Sequence, residues 1–170
     1  RGLGRIFLRG STFWVQYYVD GRQLRESTGT SDRKQAERFL RDRIKEKHAH
    51  ELNPGAVFLT RQLKKRKIGD LVDALQADFV LRGKASAQNL CRLERVRADF
   101  GNIPATRLTG EDVDTYIQQM LEANYAKASV NRVTQILQQC YQFAGIPAPR
   151  IRKLSEVGNE RRGFFSRGEI

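Results

Sequence analysis

Thr12-Phe13-Trp14-Val15-Gln16-Tyr17-Tyr18-Val19 is the stretch that decides the fold, and Asp20-Gly21 and Arg22-Gln23-Leu24-Arg25-Glu26-Ser27 follow it directly. Eight consecutive residues rich in aromatic and β-branched side chains predict a strand. Asp-Gly tolerates the positive φ of a tight hairpin turn, so residues 22–27 are predicted to return antiparallel. Upstream, Arg5-Ile6-Phe7-Leu8-Arg9 runs into Gly10-Ser11 and predicts a third, shorter strand. Downstream, Thr28-Gly29-Thr30-Ser31 leads into a helix over about 32–50, with Ala36, Phe39, Leu40 and Ile44 on one apolar stripe.

One helix covers one face of such a sheet, and strand alternation divides the side chains into two sets. Ile6, Leu8, Phe13, Val15, Tyr17, Val19 and Leu24 form the apolar set, expected under the helix. The opposite set is Arg5, Phe7, Arg9, Trp14, Gln16, Tyr18, Gln23 and Arg25. Within it Arg5, Arg9, Trp14, Gln16, Tyr18, Gln23 and Arg25 are the candidate DNA contacts, because Arg and Gln bond to base edges and phosphates when a sheet lies in a groove. A solvated face partly covered by a tryptophan has the same composition.

The charge supports a nucleic-acid partner. Of 170 residues, 31 are Lys or Arg and 19 are Asp or Glu, a formal net charge of +12 that makes an ordinary neutral or acidic cytosolic enzyme a poor fit. Residues 1–53 carry 12 basic and 7 acidic side chains, and 54–67 carry 5 basic and none acidic. Residues 68–144 carry 8 and 9, and 145–170 carry 6 and 3, so the excess lies outside the middle of the chain. No run approaches the ~18 apolar residues of a membrane span, and there is no signal-peptide pattern, so a cytoplasmic protein is expected. Cys91 and Cys140 sit in amphipathic patterns without metal-ligand spacing and read as reduced core thiols; no metal, cofactor or small-molecule substrate is indicated.

Asn53-Pro54-Gly55 breaks the helical pattern, and the run Arg61, Lys64, Lys65, Arg66, Lys67 follows without apolar periodicity. These features predict a domain over 1–53, a basic linker over 54–67, a second domain over 68–146, and an exit segment over 147–170 that opens at Pro147 and Pro149. The linker cations are candidate phosphate contacts, or the charges of a solvated tether.

Four helical stripes follow: Ile68, Leu71, Val72, Leu75 and Phe79; Leu90, Leu93, Val96 and Phe100; Val113, Ile117, Met120 and Leu121; Val130, Val133, Leu137, Tyr141 and Ala144. Their short connections predict one four-helix core. Arg82, Lys84, Ser86, Gln88, Asn89 and Arg92 gather near the start of the second helix, and Lys127, Ser129, Asn131, Arg132 and Gln135 near the start of the fourth. Hydroxyls, amides and cations at helix N-termini suit phosphate; caps on a solvated surface give the same pattern. The fold class is therefore α+β, a three-stranded antiparallel sheet with one helix linked to an all-α four-helix bundle.

Arg9-Gly10-Ser11-Thr12-Phe13-Trp14-Val15-Gln16-Tyr17-Tyr18-Val19-Asp20-Gly21 with Glu26-Ser27-Thr28-Gly29-Thr30 resembles the arm-type DNA-binding domain at the N-terminus of phage-type tyrosine recombinases, the integrases. Residues 71–83, then Lys84-Ala85-Ser86, Phe100-Gly101, Leu108-Thr109 and Ala128-Ser129-Val130-Asn131-Arg132, resemble the core-binding, SAM-like domain of that family. Residues 160–170 are similar to the segment entering its catalytic domain.

The resemblance implies sequence-specific binding of double-stranded DNA at arm-type and core-type att sites, in the integration or excision of a mobile element, with self-association to a tetramer on DNA. The family cleaves DNA through a tyrosine nucleophile in the catalytic domain, and the resemblance stops at that domain's entry, so the chain alone is expected to be inactive. Tyr17 and Tyr18 fall on a strand, Tyr116 and Tyr141 on helices and Tyr125 near a helix end, and none is assigned the nucleophile's role. His48 and His50 diverge on a helix, so neither a metal pair nor a catalytic role is supported. A stand-alone basic adaptor or repressor is the alternative, which the reading frame beyond Ile170 separates. An RNA-binding role, with Trp14 and Tyr18 stacking on bases, ranks third.

Overall fold

The computed structural model describes residues 4–53 and 57–156; the predicted catalytic-domain entry at 160–170 and the Pro54-Gly55 break lie outside them. The fold is α+β, and the chain divides between Lys65 and Arg66 into two compact units.

The first unit holds β1 (Arg5–Arg9), β2 (Thr12–Val19) and β3 (Arg22–Ser27) in the order β1-β2-β3, antiparallel throughout. Asp20 and Gly21 take φ of 49° and 75°, the left-handed pair that a two-residue hairpin needs. Helix α1 (Arg33–Leu52) begins at Asp32, whose carboxylate accepts from the Lys34 N–H at 2.8 Å. Val15, Tyr17 and Val19 are buried, and Ile6, Leu24, Phe39, Leu40, Ile44 and Phe58 pack on them. Leu8 departs from expectation: it is 58% exposed. It lies on an edge strand opposite Phe13, at the hairpin end and beyond the Val15, Tyr17 and Val19 core, so the alternation holds while the cover runs out.

Two charged residues, Glu26 on β3 and Arg43 on α1, join the apolar side chains between sheet and helix. Both are buried, with Arg43 Nε 2.9 Å from Glu26 Oε2. The Tyr17 hydroxyl donates to the same carboxylate oxygen at 2.7 Å and accepts from Arg43 Nε at 3.0 Å. Burial, followed by the hydrogen bond to Glu26, pushes the Tyr17 pKa well above its ordinary value.

The expected linker 54–67 is folded over much of its length. Phe58 meets Tyr17 edge to face at 6.1 Å, and the Arg43 guanidinium stands 4.5 Å from the Phe58 ring and donates to the Leu59 carbonyl at 2.9 Å. A short helix, α2 (Arg61–Lys65), follows. The Arg61 N–H donates to Glu26 Oε1 at 2.7 Å, and its guanidinium donates to the Ser27 and Thr28 carbonyls at 3.2 and 2.6 Å. The absence of apolar periodicity in 54–67 hid this, because polar hydrogen bonds to β3 and α1 anchor the segment together with a single aromatic.

In the second unit, α3 (Ile68–Leu81), α4 (Ala87–Phe100), α5 (Gly110–Glu122) and α6 (Lys127–Ala144) pack around Leu71, Val72, Leu93, Val96, Val113, Val130, Leu137 and Tyr141, all fully buried. Thr109 caps α5, with the Asp112 carboxylate accepting from the Thr109 N–H at 2.9 Å and hydroxyl at 2.7 Å. These bonds hold the Asp112 carboxyl below its usual pKa. The Ile68 and Gly69 N–H groups, which an isolated helix start would leave open, donate to Ile103 and Gly101 carbonyls at 3.0 Å each. The approach is close there: a Cβ at Gly69 would stand 3.1 Å from the Gly101 oxygen, so a side chain would have to push that carbonyl aside. Helix α6 ends at Gly145, with φ of 65°.

Cys140 is a core thiol, as expected, and burial pushes its pKa up to about 12. Cys91 is exposed, contrary to expectation. The buried stripe of α4 is Leu93, Val96 and Phe100, and Cys91 lies two residues, about 200° of helical turn, from Leu93.

Candidate nucleic-acid interface

On the first unit, the sheet face opposite α1 carries the predicted set in register. Arg5, Gln16 and Arg25 stand side by side across the three strands, Phe7 is opposite Trp14, and Tyr18 is opposite Gln23. The cations lie against the aromatics: the Arg5 guanidinium is 5.5 Å from the Phe7 ring and that of Arg9 5.2 Å from the Trp14 ring. Gln23 Nε2 donates to the Tyr18 hydroxyl at 3.2 Å, and Arg25 donates to Gln23 Oε1 at 3.3 Å. Arg5, Arg9, Tyr18, Gln23 and Arg25 are exposed and Trp14 is half-buried. The face thus presents cations and aromatic rings side by side. Gln16 differs from its neighbours in being 9% exposed.

The basic run 61–67 separates into different roles. Arg61 is turned inward onto β3, so its guanidinium is spent on carbonyls. Lys64 pairs with Glu46 at 2.8 Å, and Lys65 is exposed. Arg66 and Lys67 open the second unit. The Arg66 carbonyl accepts from the Ala105 N–H, and the Lys67 N–H donates to Asp70 at 2.8 Å, leaving both side chains exposed.

On the second unit, two adjoining hollows between α4 and α6, one of them also bordered by α3, form a groove that shares Arg92 and Arg132. Lys84, Asn89, Arg92, Arg132 and Gln135 line one end of it, with Arg82; Gln88, Arg92, Ser129 and Arg132 line the other. Arg92 and Arg132 are common to both ends. Ser86 caps α4, its hydroxyl accepting from the Asn89 N–H, and Asn89 Nδ2 donates back to the Lys84 carbonyl at 2.9 Å. Arg82 forms an ion pair with Asp78. Lys127 is exposed in the first turn of α6 and lies outside the lining of this groove.

Asn131 does not belong to this surface, contrary to expectation. It is buried, its Nδ2 donates to the Leu154 carbonyl at 2.9 Å and to Glu156 at 2.6 Å, and its Oδ1 accepts from the Leu154 N–H at 2.8 Å. On α6 it follows the buried Val130 and precedes the exposed Arg132, and the exit chain occupies the side to which it points. Ser129 is not a cap either, since Ala126 holds the N-cap position of α6. Cys91, Gln139, Gln142 and Phe143 also line the groove and were missed. The four-residue spacing Gln135, Gln139, Phe143 puts three of these groove residues on one helical face and is a signal readable from sequence.

Among the described residues no cluster of His, Cys, Asp and Glu could hold a metal ion, and no helix is long and apolar enough to cross a membrane. Residues 5–48, the three strands and most of α1, match the family model for the phage integrase N-terminal domain. This match is consistent with the N-terminal region of a phage-type tyrosine recombinase and implies an integrase-related, DNA-interacting role for the sheet unit. No curated protein and no solved structure matches the chain significantly.

Proposed function

We propose, taking a first unit of phage integrase N-terminal type as the premise, that the chain is the DNA-recognition part of a tyrosine site-specific recombinase. The open sheet face binds one duplex as the arm-type reader, through Arg5, Arg9, Trp14, Tyr18, Gln23 and Arg25. The α4–α6 groove binds another as the core-type reader, through Lys84, Ser86, Gln88, Asn89, Arg92, Ser129, Arg132 and Gln135, with Lys127 and Arg82 beside it. Lys64, Lys65, Arg66 and Lys67 add phosphate contacts. In the assembled recombinase, copies associate as a tetramer on att sites during integration and excision of a mobile element.

The observation that carries this reading is the register of Arg5, Gln16 and Arg25 across three strands on the face that α1 leaves open, in the segment matched by the integrase model. A cationic row flanked by rings at this spacing suits a major groove, which admits strands as well as helices.

Titration of a labelled duplex over a range of salt tests it. Neutralising ~6 phosphates gives a log–log slope of about −5, and a flat response overturns the proposal. Arg25→Ala weakens binding to duplexes selected by the sheet unit and leaves those selected by the helical unit unaffected; equal loss at both rejects the assigned reading face.

A further inference from the structure

Gln16 is the central residue of the open face, on the middle strand, with Arg5 opposite it on one side and Arg25 on the other. It is nine-tenths buried, and its Oε1 is buried with no hydrogen-bond partner among the described residues. The flanking cations do not supply one, since Arg5 stands over the Phe7 ring and Arg25 donates to Gln23. Buried acceptors in folded proteins are almost always paired, so an open one beside two arginines calls for an explanation.

The chemistry of the missing partner is restrictive. Oε1 accepts only, so what satisfies it must bring an N–H or O–H. DNA phosphates are acceptors, and a phosphate contact therefore leaves Oε1 as it stands. In the major groove the donors on base edges are the amino groups of adenine and cytosine. Adenine alone sets an acceptor, N7, beside its amino group, and a carboxamide offers a donor beside its acceptor.

We propose that Gln16 is the base-reading residue of the sheet and selects an adenine, Oε1 accepting from adenine N6 and Nε2 donating to N7. The inference rests on the DNA-binding reading above and extends it from an interface to a base. Turning outward to meet the base also ends the cost of the unpartnered acceptor, so docking and base contact reinforce each other. Arg5 and Arg25 then engage the duplex on either side of the same point.

Selection of duplexes from a random-sequence library by the full chain, repeated with Gln16→Ala and Gln16→Met, tests the inference. Methionine has glutamine's length without its carboxamide, and thermal melting confirms that each variant is folded. The unaltered chain should enrich a motif with one fixed adenine, and both variants should lose preference at that position alone. Replacing that adenine by 7-deazaadenine should weaken the unaltered chain about tenfold or more and leave the variants unchanged. An identical motif for all three proteins, or loss of preference at a base other than adenine, overturns the inference and leaves the proposed function standing. Failure of the unaltered chain to bind any duplex overturns both.

Discussion

Arg43 on α1 and Glu26 on β3 form an ion pair inside the first unit, Nε to Oε2 at 2.9 Å, with both side chains about 5% exposed or less. Each carboxylate oxygen is also used from the side: Tyr17 donates to one and the Arg61 N–H to the other. The pair therefore joins the sheet, the helix and the segment after the helix at a single point.

Removing one partner leaves a buried charge uncompensated. Arg43→Ala should destabilise the first unit by about 3–5 kcal/mol, read from urea denaturation. Arg43→Met combined with Glu26→Leu should cost less than either truncation alone, because no buried charge remains. A double variant less stable than both singles would contradict this account.

The segment carrying Phe58, Leu59 and Arg61 should behave as part of the same cooperative unit. A fragment of residues 1–65 should unfold at a higher urea concentration than one of residues 1–53, which loses the Phe58 ring, the Leu59 carbonyl and the three Arg61 hydrogen bonds. Arg61→Ala in the longer fragment should lose only part of that difference, because the residue 61 N–H still donates to Glu26.

Much of this was legible in the sequence. The strands, the hairpin and the helices follow from local patterns that tertiary structure did not override. Asp20-Gly21 needs its turn, and the stripes on α3 to α6 have one buried side each. Arg43 and Asn131 were not legible, because their partners lie 17 and 23 residues away, at Glu26 and Leu154, and no periodicity encodes a polar bond across such a distance. Gln16 was legible as a member of the open face, but its burial among exposed neighbours was not.

The two cysteines should separate under a thiol reagent. Native chain should react with one equivalent at Cys91, and unfolded chain with two, since burial holds the Cys140 thiol protonated up to about pH 12. A bulky adduct at Cys91, on the lining shared with Arg92 and Arg132, should weaken duplex binding by the helical unit and leave the melting temperature nearly unchanged.

Acid should weaken the start of α5. The Asp112 carboxyl is held below its usual pKa by the Thr109 N–H and hydroxyl, so the unfolded chain takes up its proton first as the pH falls. The stabilisation is fully present above the ordinary carboxyl value of about 4 and is lost as the pH drops through the depressed one. Asp112→Ala should therefore lower the urea midpoint at pH 7, and the gap to the unaltered chain should narrow toward pH 2. A gap independent of pH would contradict it.

The grip of Asn131 on Leu154 changes where a tether begins. Counted from the buried Ile146, eight extended residues from 147 to 154 would add up to roughly 28 Å of free reach. With the Leu154 N–H and carbonyl both held, and Arg152 bonded to Asp114 at 3.0 Å, that slack is taken up on the surface of the helical unit. One carboxamide on α6 thus shortens the free run of residues 147–154 and keeps that stretch on the helical unit.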